Sequence, residues 1–459
     1  MSATPAEGSA TLNAENVEKR RHGEGVGGLD RIDKIDRIVE AGASNPPNPV
    51  NPVNPVKGTP CLSNSVTSAL SAVGLSLTSR RATNADDGLS PRERIFILKP
   101  CACGGFAIIC GMEKKIEFPG FVDVHVHFRD PGVPEAETTA TGLAAARHGG
   151  FAAVVTMPNT TPACDSVAVM DYQRHAAADV ARRGYAAELP LLFTSACLTK
   201  GRLGQEVADL EALAASGAAF FTDDGSYVVE TKVMEEAMRR AAALGLVVSQ
   251  HALAPGLSEA DCIRRDLSLC RETGCRLHVQ HISTAAGVAL VRDAQREGLP
   301  VTAEATPHHV LLCRDDIVGD DGNFKMAPPL ATREDRAEVR RGVKDGVLMF
   351  ATDHAPHPAA KKNCGYAKAA NGIIGLETAI PITYHVMVEE EGMPVEKWAE
   401  AWWKLPRAIL PPALAAQLEG RTTRIDVGKP HTVDCATFAS RSRNCPYRGM
   451  VFDGWSHNG

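Results

Sequence analysis

From Phe118 onward, apolar runs of four to seven residues alternate with Ala-rich segments of helical period. Continuously apolar runs of strand length suit strands buried on both faces, and the intervening segments suit helices laid over them. The pattern predicts a first strand that ends at His127 and a helix over Thr138–His148, then a strand Phe151–Thr156 and a helix over about Asp165–Arg182. A third strand, Leu189–Thr194, precedes a helix over Gln205–Ser216, and a fourth, Ala218–Thr222, precedes one over Thr231–Leu244. The fifth strand is Leu246–Gln250 with the helix Glu259–Thr273, and the sixth is Arg276–Gln280 with Ala285–Glu297. Leu299–Ala303 and Val347–Ala351 complete the series, the helix Arg333–Val343 lying between them. Eight such units in succession predict an α/β fold whose leading solution is a closed (β/α)8 TIM-like barrel.

Outside that stretch the texture differs. Residues 1–90 contain the Pro-rich tract NPPNPVNPVNPV (Asn45–Val56), which removes amide donors, so this part reads as a low-complexity, mostly disordered arm. Ile95–Leu98 and Phe106–Cys110 suggest short strands within residues 91–117. The barrel is expected over 118–392 and peripheral helices over 393–420, with a C-terminal segment, 421–459, returning to a small β-rich side domain whose completeness is left open. With 44% apolar and 23% charged residues and a net charge of -6, the chain offers no basic surface for nucleic acid, and a small-molecule substrate is expected. No apolar run approaches a membrane span and the first residues lack a secretory apolar core, which points to a cytoplasmic protein without a membrane partner. The thirteen Cys lack regular spacing and read as thiols of a reducing compartment.

The polar residues that interrupt this pattern carry the chemistry. His125 and His127 stand two apart at the end of the first strand, so both rings share a face. Alone, such a pair is more often two surface or hydrogen-bonded histidines. Here Asp224 follows the fourth strand, His251 ends the fifth, His281 ends the sixth and Asp353 follows the eighth. In a barrel these six residues converge on one mouth, at the strand C-termini where catalytic groups sit. Four imidazoles and two carboxylates exceed what one four-coordinate ion uses, so two divalent ions, zinc by ligand type, are expected. Asp224 is placed between them as the bridging carboxylate, and Asp223 is left a hydrogen-bonding role.

The segments HVHFRDPG, MPNT, TDDG, QHIST, TPHH, KMAPPL, TDHAPH and GIIGLETA, in this order, resemble the dihydroorotase family of the amidohydrolase superfamily, in its bacterial, Asp-bridged binuclear type. The resemblance covers about Phe118–Val388, with a fainter echo at Phe438–Met450. It implies that His125, His127, Asp224, His251, His281 and Asp353 hold the metals and that Asp353 also carries the proton. Arg129, Asn159 and His357 match positions that bind the substrate's α-carboxylate, and His308 and His309 match a TPHH element whose role is packing or substrate contact. The implied reaction interconverts N-carbamoyl-L-aspartate and L-dihydroorotate plus water in pyrimidine synthesis. No Lys ends the fourth strand, which argues against hydantoinases. Ala327 stands where relatives commonly carry Asn, and HALA (His251–Ala254) where they often carry HCED, so an allantoinase- or hydantoinase-like amidase is the alternative activity. A non-catalytic partner of aspartate carbamoyltransferase is the alternative of another class, and that enzyme or a second copy of the chain is the candidate protein partner.

Overall fold

The computed structural model describes residues 114–185 and 189–456. The arm expected over 1–90 and the strands expected at Ile95–Leu98 and Phe106–Cys110 lie outside the described residues. Strands β1 (Lys114–Pro119) and β2 (Phe121–Val126) are separated only by Gly120. A Cβ on Gly120 would lie 2.4 Å from Ala152 Cβ, so this crossing requires glycine. From here the chain alternates parallel strands with helices: β3 (Phe151–Thr156), β4 (Leu191–Thr194), β5 (Val247–Gln250), β6 (Arg276–Val279), β7 (Val301–Ala305) and β8 (Met349–Phe350).

β2, β3 and β4 form one parallel sheet and β5 to β8 another. Single parallel bridges run from Ala196 to Phe221 and from Phe221 to Val248, and another joins Val126 to His354. The fold is therefore α/β with parallel sheets. Every residue of β2 and β3 is buried, as parallel strands covered on both faces require. One apolar cluster is drawn chiefly from strand segments, with Val122, Val124, Val155, Phe193, Phe220 and Met349 among its members. The larger cluster lies between strands and helices.

Three predicted elements are corrected. Ala218–Thr222 makes backbone bonds to both flanking segments (Ala219 N to Thr194 O, 2.8 Å; Ser249 N to Phe221 O, 2.8 Å), yet only Phe221 is bridged, so it is not a regular strand. The seventh strand begins at Val301 instead of Leu299, because Leu299 N still donates to Ala294 O in the helix-ending turn and Pro300 has no N–H. It runs on through Glu304, a charge that an apolar-run criterion excludes. The helix expected over Gln205–Ser216 is shortened to Leu210–Ala215, with Asp209 accepting from Ala212 N as its N-cap.

The tail forms β9 (Thr422–Val427), β10 (His431–Thr432), β11 (Val451–Phe452) and β12 (Trp455–Ser456). β9 lies antiparallel between β1 and β12, and β10 pairs with β11. The helix Val395–Ile409 buries Trp398 and Trp402 against Phe121, with ring centroids 5.5 Å and 6.4 Å away. No helix among the described residues is long and apolar enough to cross a membrane.

Candidate metal centre and substrate cleft

The strand ends turn sharply. Among the described residues four non-glycine residues have positive φ, namely Arg129 (51°), Arg202 (58°), His281 (32°) and Asp353 (49°), and all four line one cleft of about 560 Å3. Backbone of this kind costs energy and persists where the surroundings enforce it, which is common at functional sites. The same cleft is lined by His127, Asn159, Asp224, His251 and Ala327, and by the apolar rim Leu253–Pro255.

The structure brings the six predicted ligands together, and all are buried. His125 Nε2 lies 3.3 Å from Asp224 Oδ1 and 3.4 Å from Asp353 Oδ1. His127 Nε2 lies 3.1 Å from Asp353 Oδ1 and 3.4 Å from Asp224 Oδ2. The other oxygen, Asp224 Oδ1, is 3.6 Å from His251 Nδ1 and 3.9 Å from His281 Nε2. Asp224 thus faces His125, His251 and His281 with Oδ1 and His127 with Oδ2. His125, His127 and Asp353 form one metal-competent triad, and His125, Asp224 and His281 another.

The donor chemistry fits cations. Glu304 Oε1 is 2.6 Å from His125 Nδ1, which places the ring proton there and leaves Nε2 as a lone pair facing two carboxylates. That Nε2 has no hydrogen-bond partner among the described residues. His127 Nδ1 is likewise 2.8 Å from Asn159 Oδ1, freeing its Nε2. His251 Nδ1 and His281 Nε2 are 2.8 Å apart, and His281 Nδ1 is another buried atom without a partner among the described residues. Lone pairs and carboxylates crowded together in this way are what a divalent ion satisfies.

The surrounding carboxylates draw positive charge to this cluster, and a proton competes with a metal ion for His125 Nε2. Burial would lower the His125 pKa, but Glu304, Asp224 and Asp353 outweigh it and hold it well above the ordinary value. Burial would raise Asp224, yet His125 and the contacts with His251 and His281 hold it well below the carboxylate range. Asp353 is lowered too, the effect of His125 and His127 overcoming burial. His127 is lowered by burial and by the Arg129 charge. Both carboxylates stand ready as anions.

Of the three expected carboxylate binders, Arg129 and Asn159 line the cleft, and His357 does not. Arg129 Nε donates to Pro356 O at 3.3 Å, and burial lowers its guanidinium to about 10. Asn159 Nδ2 reaches Asp224 Oδ2 at 3.4 Å. His357 lines an adjoining cavity, with Nε2 2.7 Å from the carbonyl of Asn371, whose residue does line the cleft. His309 sits between Thr306 Oγ1 (2.8 Å from Nδ1) and Pro328 O (3.2 Å from Nε2). Asp223 accepts from the amides of Leu198 and Thr199.

Sequence reasoning missed Glu304, which also meets His278 Nε2 at 2.9 Å and is lowered to about 2 by His125 and His278 against the effect of burial. It missed Asp123, which accepts from Thr352 N (3.0 Å) and His125 N (3.1 Å) and fastens the first strand end to the eighth. It also passed over Arg202. The available signal was a carboxylate inside an otherwise buried strand, at Asp123 in FVDVHV and at Glu304 in VTAEA, since such a charge persists only when paired.

A parallel α/β frame with a His/Asp cluster at its strand ends defines a metal-dependent hydrolase of the amidohydrolase class. A family model described as dihydro-orotase-like matches residues 114–258. The chain is 40% identical over 374 residues to a dihydroorotase of Geobacillus sp. (strain WCH70), covering 76% of this chain and 86% of that protein. It is 39% identical over 373 residues to one of Listeria innocua, covering 74% and 85%. Among solved structures it is similar to an L-hydantoinase from Arthrobacter aurescens (TM-score 0.66, 24% identity, 74% of this chain and 83% of that one). It is also similar to a Saccharomyces cerevisiae dihydroorotase in complex with 5-fluoroorotic acid (TM-score 0.61, 16% identity, 75% and 98%). The chain belongs to the dihydroorotase family and is an enzyme, a hydrolase acting on cyclic amides.

Proposed function

We propose that this enzyme interconverts N-carbamoyl-L-aspartate and L-dihydroorotate plus water, a cytoplasmic step of pyrimidine synthesis. The observation that carries the reading is the convergence of six buried ligands, of which all but His125 line one cleft together with Arg129 and Asn159. The bridges Val126–His354 and Ala196–Phe221–Val248 support closure of the two sheets into a (β/α)8 barrel. In the domain division we infer, this barrel spans 118–392, and the β1–β9–β12 sheet is the core of a side domain.

His125, His127 and Asp353 would hold one zinc ion and His251 and His281 a second, with Asp224 between them. Bound there, the ions supply Lewis acidity, which polarises the scissile amide carbonyl and lowers the pKa of water. The remaining work belongs to the chain. Arg129 and Asn159 orient the ring through its carboxylate, guanidinium and amide donors being suited to that group. Asp353 accepts the proton of the attacking water and delivers it to the ring nitrogen as the C–N bond breaks. In the reverse direction it takes that proton back while the ring closes.

Asp353→Asn removes the proton carrier, and turnover in both directions should fall by about 10²-fold or more. Metal analysis of the unaltered protein should find about two zinc per chain. Intact turnover in Asp353→Asn would refute the assignment. Ala327 in the cleft wall and the apolar rim motivate a parallel assay with allantoin and hydantoin. Faster turnover of either than of dihydroorotate would replace the proposed substrate.

A further inference from the structure

Arg202 lies on the short turn Lys200–Arg202, far in sequence from the Arg129 loop, yet it lines the same cleft. Its backbone is held at a φ of 58°. Its Nη2 donates to the main-chain oxygen of Asp224 (2.6 Å) and to Ser226 Oγ (3.1 Å), which fixes one corner of the guanidinium. Nε is buried and has no hydrogen-bond partner among the described residues. A guanidinium has five N–H donors in a rigid fork, so anchoring it through one nitrogen leaves a preformed donor edge.

Gly225 lies beside the anchored corner of this guanidinium. Its φ is +76°, and a Cβ built there would lie 3.2 Å from Arg202 Nη2 and 3.4 Å from Asn159 Nδ2. The missing side chain therefore leaves a notch beside Arg202 and Asn159, the latter a proposed carboxylate binder; both hydrogens of Nη2 are given to Asp224 and Ser226, so Nη1 and Nε are the donors Arg202 has left for a ligand there. Arg129 lines the same cleft. Two cationic groups thus serve one cleft, more than anchoring the Asp224 carbonyl requires.

We propose that Arg202 is a further substrate-binding residue, which forms with Asn159 and Gly225 a notch for the free carboxylate of a cyclic or open-chain ureido acid. The inference rests on the dihydroorotase reading above and deepens it. Arg202 would select substrates that carry this carboxylate over neutral cyclic ureides.

The test uses the full-length, zinc-loaded protein with Arg202→Met and Arg202→Lys. Orotate affinity is measured by calorimetry, KM and kcat with dihydroorotate, and zinc per chain. Loss of a charge-assisted hydrogen bond predicts a Kd for orotate and a KM for dihydroorotate raised about 10- to 100-fold in Arg202→Met, with zinc content unchanged and kcat less affected. Arg202→Lys should recover part of the affinity. Unchanged orotate affinity in Arg202→Met overturns the proposal, and so does a loss confined to kcat or zinc content, which would make Arg202 a support for Asp224 alone. If the unaltered protein neither binds orotate nor turns over dihydroorotate, the functional reading falls and this inference with it. That outcome is distinct from an active protein matched by its Arg202 variants.

Discussion

With Glu304 Oε1 2.6 Å from its Nδ1, His125 can offer only Nε2 to a metal. Glu304 in turn meets His278 Nε2 at 2.9 Å and the main-chain N of His281 at 3.2 Å, so one buried carboxylate orients a ligand on β2 and the backbone of a ligand after β6. Glu304→Gln keeps the shape but presents an amide that can donate as well as accept, and it removes the charge that favours the proton on Nδ1. Outer partners of metal-bound histidines typically contribute 10- to 100-fold to metal affinity or activity. The variant should therefore retain less zinc after dialysis against a weak chelator and lose activity by about that factor. Zinc retention equal to the unaltered protein would show that the ring is held by packing alone.

At the scale of elements, Thr383 joins two helices. On the helix Ala379–Tyr384 its Oγ1 accepts from the indole N–H of Trp398 (3.1 Å) and of Trp402 (3.0 Å), both on Val395–Ile409. Thr383→Val is nearly isosteric and strands two buried donors, so it should destabilise the protein by about 2–5 kcal/mol, whereas Thr383→Ser keeps the acceptor and should cost less. Thermal unfolding of the two variants checks the order. This connection was not legible in the sequence, because nothing in the chain pattern says which hydroxyl meets which indole. The strand–helix alternation was legible, since full burial makes β3 apolar from Phe151 to Val155. Reading failed where that link broke: Glu304 is charged but paired, and the bridged residue Phe221 sits in a segment whose ladder is irregular. The six metal-ligand candidates were legible because each stands where an apolar run stops, whereas Arg202 lies in a polar turn with no such mark.

Across the whole molecule, a group outside the metal centre predicts how stability varies with pH. Asp266, on the helix Glu259–Thr273, is buried and raised to about 6 by that burial, despite the neighbouring Arg265 guanidinium (Nε to Oδ1, 2.7 Å) and a long contact from the Tyr227 hydroxyl at 3.4 Å. Its folded pKa exceeds the unfolded value of 3.8, so between those values the folded state binds more protons than the unfolded one. Stability from this group is therefore complete below the unfolded pKa and is lost as pH rises through the folded one. The loss is on the order of 3 kcal/mol, at 1.36 kcal/mol per pKa unit. Asp266→Asn has no such titration, and comparison with it cancels the groups common to both proteins. Chemical unfolding of the two proteins from pH 4 to pH 8 should show the unaltered protein losing ground to the variant between about pH 4 and 6 and no further change above about pH 7. A difference that stays flat, or that moves in favour of Asp266 as pH rises, would mean that the Arg265 ion pair outweighs burial and holds the carboxylate as a stabilising anion.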